Sequence, residues 1–361
     1  MIANTRRRRF DVVEITNEMP VNRIGGVGTV VENLLSGFEE IGIRALWFLA
    51  DHPYRPSDLD EILRSYPNVA VGEHDELDRF SAPVAHLHAY AFGPGLLPAL
   101  GRRPTLFTIH SLLVEEERSN DVDLAGSVRS QEELIAASAE VAVVSAAERD
   151  RYRRLGYRRL NRRLSVVHNG LRPSPRFRNG RGRQTLGFSG RLVPRKHPEF
   201  LPMLLREPDF ADCTVLVAGK AFSTYARDLV RRLGVEDRVR YLGWCGRERL
   251  EAFYDAIDVL AVPSTYEPFC MAALEAAARG IPVVCTRVDG LVELLGEHAF
   301  YCDGTSYEAF SEAMRRWRES TDSVCAEVVD GAHRRHADLY TDVTMARAYA
   351  GRFEALGAPA T

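Results

Sequence analysis

Residues 258–295 read DVLAVPSTYEPFCMAALEAAARGIPVVCTRVDGLVELL. Two apolar runs, DVLAVP and IPVVCT, flank AALEAAA, whose alanine and leucine content favours a helix. Strand, helix and strand in that order form the repeating unit of a parallel sheet. Pro268 suits the first turn of this helix, where a missing N–H costs no hydrogen bond, and Gly280 suits its end. A helix N-terminus just past a buried strand favours a negatively charged ligand through its backbone N–H groups and dipole. Glu267 stands at that mouth and Glu275 lies farther along; on one helix the two would be roughly 12 Å apart. Carboxylates accept hydrogen bonds from hydroxyl groups, so this spacing suits the sugar and the ribose at the two ends of an extended ligand.

Working outward, the chain of 361 residues is long enough for two domains, each with its own core. A net charge of −3 gives no electrostatic case for nucleic acid. The basic run RDRYRRLGYRRLNRR (149–163) lacks the signature of a nucleic-acid fold and reads as a solvated helix. The six cysteines all lie in the second half without a C-x-x-C pair, which is neither a zinc pattern nor a disulfide framework and suits the reducing cytoplasm. Arg6 to Arg9 read as a solvated tail; no signal peptide and no membrane anchor are expected. The sequence carries no sign of oligomeric state. Of the 47 basic residues only Lys196 and Lys220 are lysines, a bias that fits a GC-rich genome such as an actinomycete's.

From residue 10 to about 170, apolar runs (FDVVEIT, RALWFLA, VAHLHAY, TLFTIH, VAVVS, LSVVHNG) alternate with helical patterns, and the second half repeats the scheme. The expected fold is α/β, two doubly wound Rossmann-like domains facing across a cleft: 1–171, a Pro-, Gly- and Arg-rich linker at 172–184, then 185–338. MARAYAGRFEAL reads as an amphipathic final helix within 339–361. Ligands of such sheets bind beyond the carboxyl ends of the strands.

Several residues fall at those ends. The loop MPVNRIGGVGTVVENL places Gly25, Gly26 and Gly28 where backbone N–H groups can turn onto a diphosphate, with Arg23 just before them. Its spacing is not that of a dinucleotide fingerprint. His110 ends TLFTIH; His86 and His88 alternate in VAHLHAY and, without neighbouring ligands, argue against a metal site. In GFSGRLVPRKHPEFL a strand end is followed by Gly190, Arg191 and Lys196, a planar fork and a compact point charge suited to phosphate oxygens. The triplets Asp58-Leu59-Asp60 and Asp121-Val122-Asp123 lie in polar stretches away from strand ends, and no metal is expected.

Taken together these motifs resemble the retaining family-4 glycosyltransferases of the GT-B fold, in the right order over nearly the whole chain. The resemblance rests on Glu267-Pro268-Phe269-Cys270 with Glu275, on Gly190-Arg191 with Lys196, on the glycine loop, and on the T-x-H histidine. It implies that Glu267 faces the donor sugar, that Glu275 holds the ribose, and that His110 lies near the sugar's hydroxymethyl group. Arg191, Lys196, Glu267 and His110 would form the catalytic set. Gly25, Gly26, Gly28, Gly190, Phe269, Cys270, Met271 and Glu275 would bind the donor. Arg23, His86, His88, Ser145 and Asn169 would line the cleft or the acceptor site. The family also carries its last helix back onto the first domain. Three departures stand out: Cys270 and His197 each replace a usual glycine, and Asp289 replaces the first of a glycine pair.

The implied activity is transfer of a hexosyl group from a nucleotide diphosphate sugar, UDP-sugar favoured, with retention and without a metal or other cofactor. The acceptor would be a small molecule, for which EHDELD (73–78) and EEE (115–117) suggest a cationic aminocyclitol or another antibiotic precursor. The alternatives are a nucleotide-sugar 2-epimerase of the same fold and a non-catalytic two-domain sugar-binding protein. Because lysine survives at 196 in an arginine-rich chain, its ammonium is expected to be required there, while Arg195 beside it should tolerate lysine.

Overall fold

The structure is a computed structural model that describes residues 9–19, 21, 26–52, 54–88, 95–176, 182–220, 228, 231 and 234–358. Arg23 and Gly25 lie outside the described residues. The chain forms two compact units: residues 1–117, 122–172 and 340–361 in the first, 118–121 and 173–339 in the second.

The first unit is built on a seven-stranded sheet. Its strands are β1 Val12–Thr16, β2 Ala45–Leu49, β3 Val69–Val71, β4 Ala85–Leu87, β5 Thr105–Ile109, β6 Glu140–Val143 and β7 Leu164–Val166, in the order β3-β2-β1-β4-β5-β6-β7. All paired neighbours are parallel, as crossover helices require. Phe48, Phe80, Phe107 and Tyr152 belong to the buried cluster on this sheet. The final helix, Asp342–Ala355, packs on the first, Gly26–Ile41. Gly37 makes that approach possible, since a Cβ there would stand 2.5 Å from the Asp342 carbonyl oxygen. Gly170 plays the same part against Thr341.

The second unit has a six-stranded sheet: β8 Thr185–Ser189, β9 Thr214–Ala218, β10 Val239–Gly243, β11 Val259–Val262, β12 Val283–Thr286 and β13 Phe300–Cys302, in the order β10-β9-β8-β11-β12-β13. Its pairs are again parallel. Phe200, Phe210, Phe310 and Trp317 fill its core. Order reverses beside β8 and β11, and the loops leaving those strands carry GRLVPRK and STYEPFC.

One local expectation is corrected here. The helix between β11 and β12 spans Met271–Arg279, so Pro268 precedes it and Glu267 does not share it with Glu275. Cys270 is its N-cap residue, at φ 80° and ψ 85°, and an L-residue in that left-handed region cannot continue a right-handed turn. The helix therefore starts only after it. Gly280, at φ 71°, ends the helix as expected.

Candidate active site

The second unit gathers its charged motif residues around Glu267. This carboxylate is 3% exposed, and its Oε1 lies 2.6 Å from the Lys196 ammonium, 2.8 Å from the Ser264 hydroxyl and 3.6 Å from an Arg195 nitrogen. Burial pushes its carboxyl up, but the charges of Lys196 and Arg195 and the hydrogen bonds from Lys196 and Ser264 outweigh that and hold it below the usual range. Lys196 closes a single 3-10 turn, Pro194–Lys196, whose geometry points its stem back across Gly190. A Cβ on Gly190, at φ 145°, would touch the Lys196 stem at 3.6 Å. Behind it Gly219 is held within contact of the Gly190 carbonyl, where no side chain would fit. Arg191 follows directly and is half-buried.

The setting of Arg195 argues against the expectation that lysine would serve there. It is buried, donates to the Tyr266 carbonyl at 2.5 Å, and its guanidinium sits 5.5 Å from the Tyr266 ring. A planar donor at a buried, stacked position is not interchangeable with an ammonium. Its sequence signal was invisible, because the neighbour Lys196 carried the motif and Arg195 is one arginine among many.

Glu275, on the helix, is also buried and accepts from the Tyr254 hydroxyl at 2.5 Å. Burial and the Glu275 carboxylate push the Tyr254 phenol well up, so it stays a donor. Arg279 stacks 4.8 Å from the Tyr254 ring and pairs with Glu251, which closes this side of the helix. Phe269 is buried and Met271 opens the helix. The backbone of Glu267 and Pro268 runs so close to Gly290 that a Cβ there would stand 2.1 Å from the Glu267 carbonyl oxygen. That contact explains why the second residue of Asp289-Gly290 is a glycine. The two other departures share a cause. Cys270 at φ 80° and His197 at φ 41° both hold left-handed backbone where glycine is the unstrained choice. Burial lifts the Cys270 thiol to about 12, which keeps it neutral. Lys220 is exposed beyond the end of β9.

The first unit has its own buried polar cluster. Glu14 of β1 pairs in register with His86 of β4, and side chains alternate along a strand, so Glu14, His86, His88, Thr108 and His110 share one face. His88 Nε2 lies 2.7 Å from Glu14 Oε2, and His86 Nδ1 lies 2.8 Å from the same oxygen in a less well directed approach. The expectation that the two histidines lack ligating neighbours is thereby corrected. Glu14 supplies one, and the three residues bring ligand atoms within 4.8 Å of one another. His86 is fully enclosed by this face and the final helix, with its ring centroid 4.6 Å from that of Tyr349. It faces core rather than any open surface. His110, just past β5, is half-buried. Glu14 was the residue sequence reading passed over; a carboxylate inside the apolar strand run FDVVEIT was the available signal.

The remaining motif residues are placed as follows. Gly26 opens the first helix and Gly28 is buried within it. Ser145 caps the helix Ala146–Arg154, accepting from Glu148 N–H at 3.0 Å. Asn169 is buried beside Gly170, and its side-chain oxygen has no hydrogen-bond partner among the described residues. Within EEE (115–117), Glu116 is buried and accepts from Ser111, and Glu117 accepts from Leu124 N–H, so two of its three carboxylates serve local structure. No helix among the described residues is long and apolar enough to cross a membrane.

Comparison with known proteins gives a consistent picture. A family described as "Glycosyltransferase Family 4" matches residues 24–174, and one described as "Glycosyl transferases group 1" matches residues 174–331. D-inositol 3-phosphate glycosyltransferase of Corynebacterium glutamicum is 31% identical over 268 residues, 66% of this chain and 64% of that protein. The protein of the same name from Corynebacterium diphtheriae is 28% identical over 310 residues, 77% of this chain and 72% of its own. This chain thus spans about two thirds of the length of those relatives. Among solved structures, sucrose-phosphate synthase from Thermosynechococcus elongatus superposes with a TM-score of 0.75 at 18% identity, covering 96% of this chain and 98% of that one. Anabaena Alr3699/HepE, solved in complex with UDP and glucose, gives 0.74 at 17% identity, covering 96% and 100%. With two end-to-end family matches and two parallel sheets carrying the motif residues at their strand ends, the chain belongs to the family-4 glycosyltransferases, of GT-B fold.

Proposed function

We propose that this protein transfers a hexosyl group from a nucleoside diphosphate sugar to a hydroxyl of a small polyhydroxylated acceptor, with retention at the anomeric carbon. The observation that carries the reading is the gathering of cations at Glu267. Two buried or half-buried cations, Arg195 and Lys196, face one carboxylate, and Arg191 adds a third cation beside the Gly190 turn. Cations gathered out of bulk water suit a diphosphate that gains charge as its bond to the sugar breaks. An ammonium has three N–H donors and Glu267 engages one, which leaves Lys196 able to bind a phosphate oxygen as well.

In this reaction the bond between the anomeric carbon and the diphosphate oxygen breaks through an oxocarbenium-like transition state. The acceptor oxygen bonds to the same face, and its proton passes to the departing phosphate oxygen. Glu267 accepts a sugar hydroxyl and Glu275 the ribose. Protein cations supply the neutralisation, and the reaction runs without a metal ion or other cofactor. The UDP and glucose in the Anabaena structure favour a UDP-sugar, and the names of the corynebacterial relatives favour a cyclitol acceptor.

The test is a panel of UDP-, GDP- and ADP-hexoses with and without cyclitol acceptors, reading released nucleoside diphosphate and the anomeric coupling of the product. Release that depends on acceptor, with an α-linked product from an α-linked donor, is expected. Equal release without acceptor, or an inverted product, overturns the reading.

A further inference from the structure

The buried cluster of the first unit has a direction, and the direction ends at His110. Glu14 is wholly buried, and an ionised carboxylate only accepts hydrogen bonds. His88 then donates from Nε2 across 2.7 Å, and in the neutral ring that leaves its Nδ1 as a lone pair. That nitrogen lies 3.3 Å from His110 Nε2, so His110 must be the donor there. In the other branch, His86 turns an N–H at Nδ1 toward the carboxylate, because two lone pairs 2.8 Å apart would repel. Its Nε2 accepts from Thr108 at 2.8 Å, and Thr108 accepts from the Tyr349 hydroxyl at 3.1 Å.

We propose that Glu14 and His88 are positioning residues that fix His110 as its Nε2–H tautomer, so that His110 Nδ1 is held as a hydrogen-bond acceptor. Among the described residues His110 Nδ1 has no hydrogen-bond partner, and the half-buried ring stacks on His88 with centroids 5.6 Å apart. Burial and the neighbouring histidines hold the His110 imidazole well below its ordinary range, which keeps it neutral and its Nδ1 unprotonated. Glu14 stays ionised because His86 and His88 outweigh the effect of burial. A buried zinc ion at Glu14, His86 and His88 would impose the opposite direction, with each histidine donating its outer N–H. The distances decide between them. Ligands about 2.0–2.1 Å from a tetrahedral zinc stand about 3.3 Å from each other, whereas 2.7 and 2.8 Å are hydrogen-bond lengths.

The experiment is long-range proton–nitrogen correlation NMR on the full chain with histidine-selective nitrogen-15 label near pH 7.5, together with elemental analysis for zinc. Nε2–H tautomers for His110 and His88 and the Nδ1–H tautomer for His86 are expected, with no stoichiometric zinc. A His110 found as Nδ1–H, a tautomeric average at His110, or one zinc per chain overturns the proposal. In His88→Phe the His110 nitrogens should move to averaged shifts. If His110 keeps its tautomer in His88→Phe, positioning by Glu14 and His88 is wrong.

Discussion

Lys196 shows what a side chain's shape contributes beyond its charge. Its ammonium approaches Glu267 to 2.6 Å as a point charge, whereas a guanidinium would bring a flat fork into a space already bounded by Arg195. Lys196→Arg should lower turnover by roughly 10²-fold while donor affinity changes less, measured by steady-state kinetics beside donor titration. Exposed Arg102→Lys is the silent control. Arg195→Lys should not be silent: losing the Tyr266 carbonyl bond and the ring contact should cost about 1–3 kcal/mol, seen as a lower urea midpoint with unchanged slope. Cys270 offers the opposite sign. Left-handed backbone at a side-chain-bearing residue costs of order 1–3 kcal/mol, more than burying one thiol returns. Cys270→Gly should therefore raise stability by about 1 kcal/mol, and a fall in Tm would show that the thiol's packing outweighs the strain.

At the scale of elements, steric contact overrides intrinsic preference. Gly37 lies within the helix Gly26–Ile41, where alanine would ordinarily gain about 1 kcal/mol, yet its Cβ would collide with the Asp342 carbonyl. Gly37→Ala should thus destabilise by about 2 kcal/mol, with the same denaturation measurement reading the sign. The contrast between local and tertiary rules also marks what was legible from the chain. Apolar runs such as TLFTIH and IPVVCT predicted strands that are present, because parallel strands bury both faces and leave a continuous hydrophobic signature. Gly190, Arg191 and Lys196 could be singled out because glycine and cations at a strand end have a chemical meaning without a structure. The start of the helix Met271–Arg279 could not, since proline usually marks a first turn and nothing local tells that Cys270 turns left-handed. Arg195 and Glu14 were hidden for a different reason: their partners, Tyr266, His86 and His88, lie 71 or more residues away.

Over the whole molecule, buried titratable groups set the response to acid. His86 is held at about 4 against an ordinary 6.5, by burial first, opposed only in part by Glu14. Its folded form refuses a proton that the unfolded chain takes up, so stability is lost as pH falls through the window from 6.5 to about 4, by about 3 kcal/mol at most. Glu14 and Glu267, both held below the usual carboxylate range, add losses of the same sign at lower pH, below the point where unfolded carboxylates begin to protonate. Urea midpoints measured from pH 7.5 down to 4.5 should fall steadily, and His86→Phe should flatten the upper part of that decline. The order of synthesis is constrained as well. Residues 340–361 complete the first unit, yet 173–339 are made before them. A nascent chain stalled at residue 339 carries every strand of the first sheet but not Tyr349, Phe353 or the helix that covers Gly37. On the ribosome, the unit made first is therefore the one finished last. Its exposed apolar face must wait through the translation of an entire second unit, and that interval is when a chaperone would bind it.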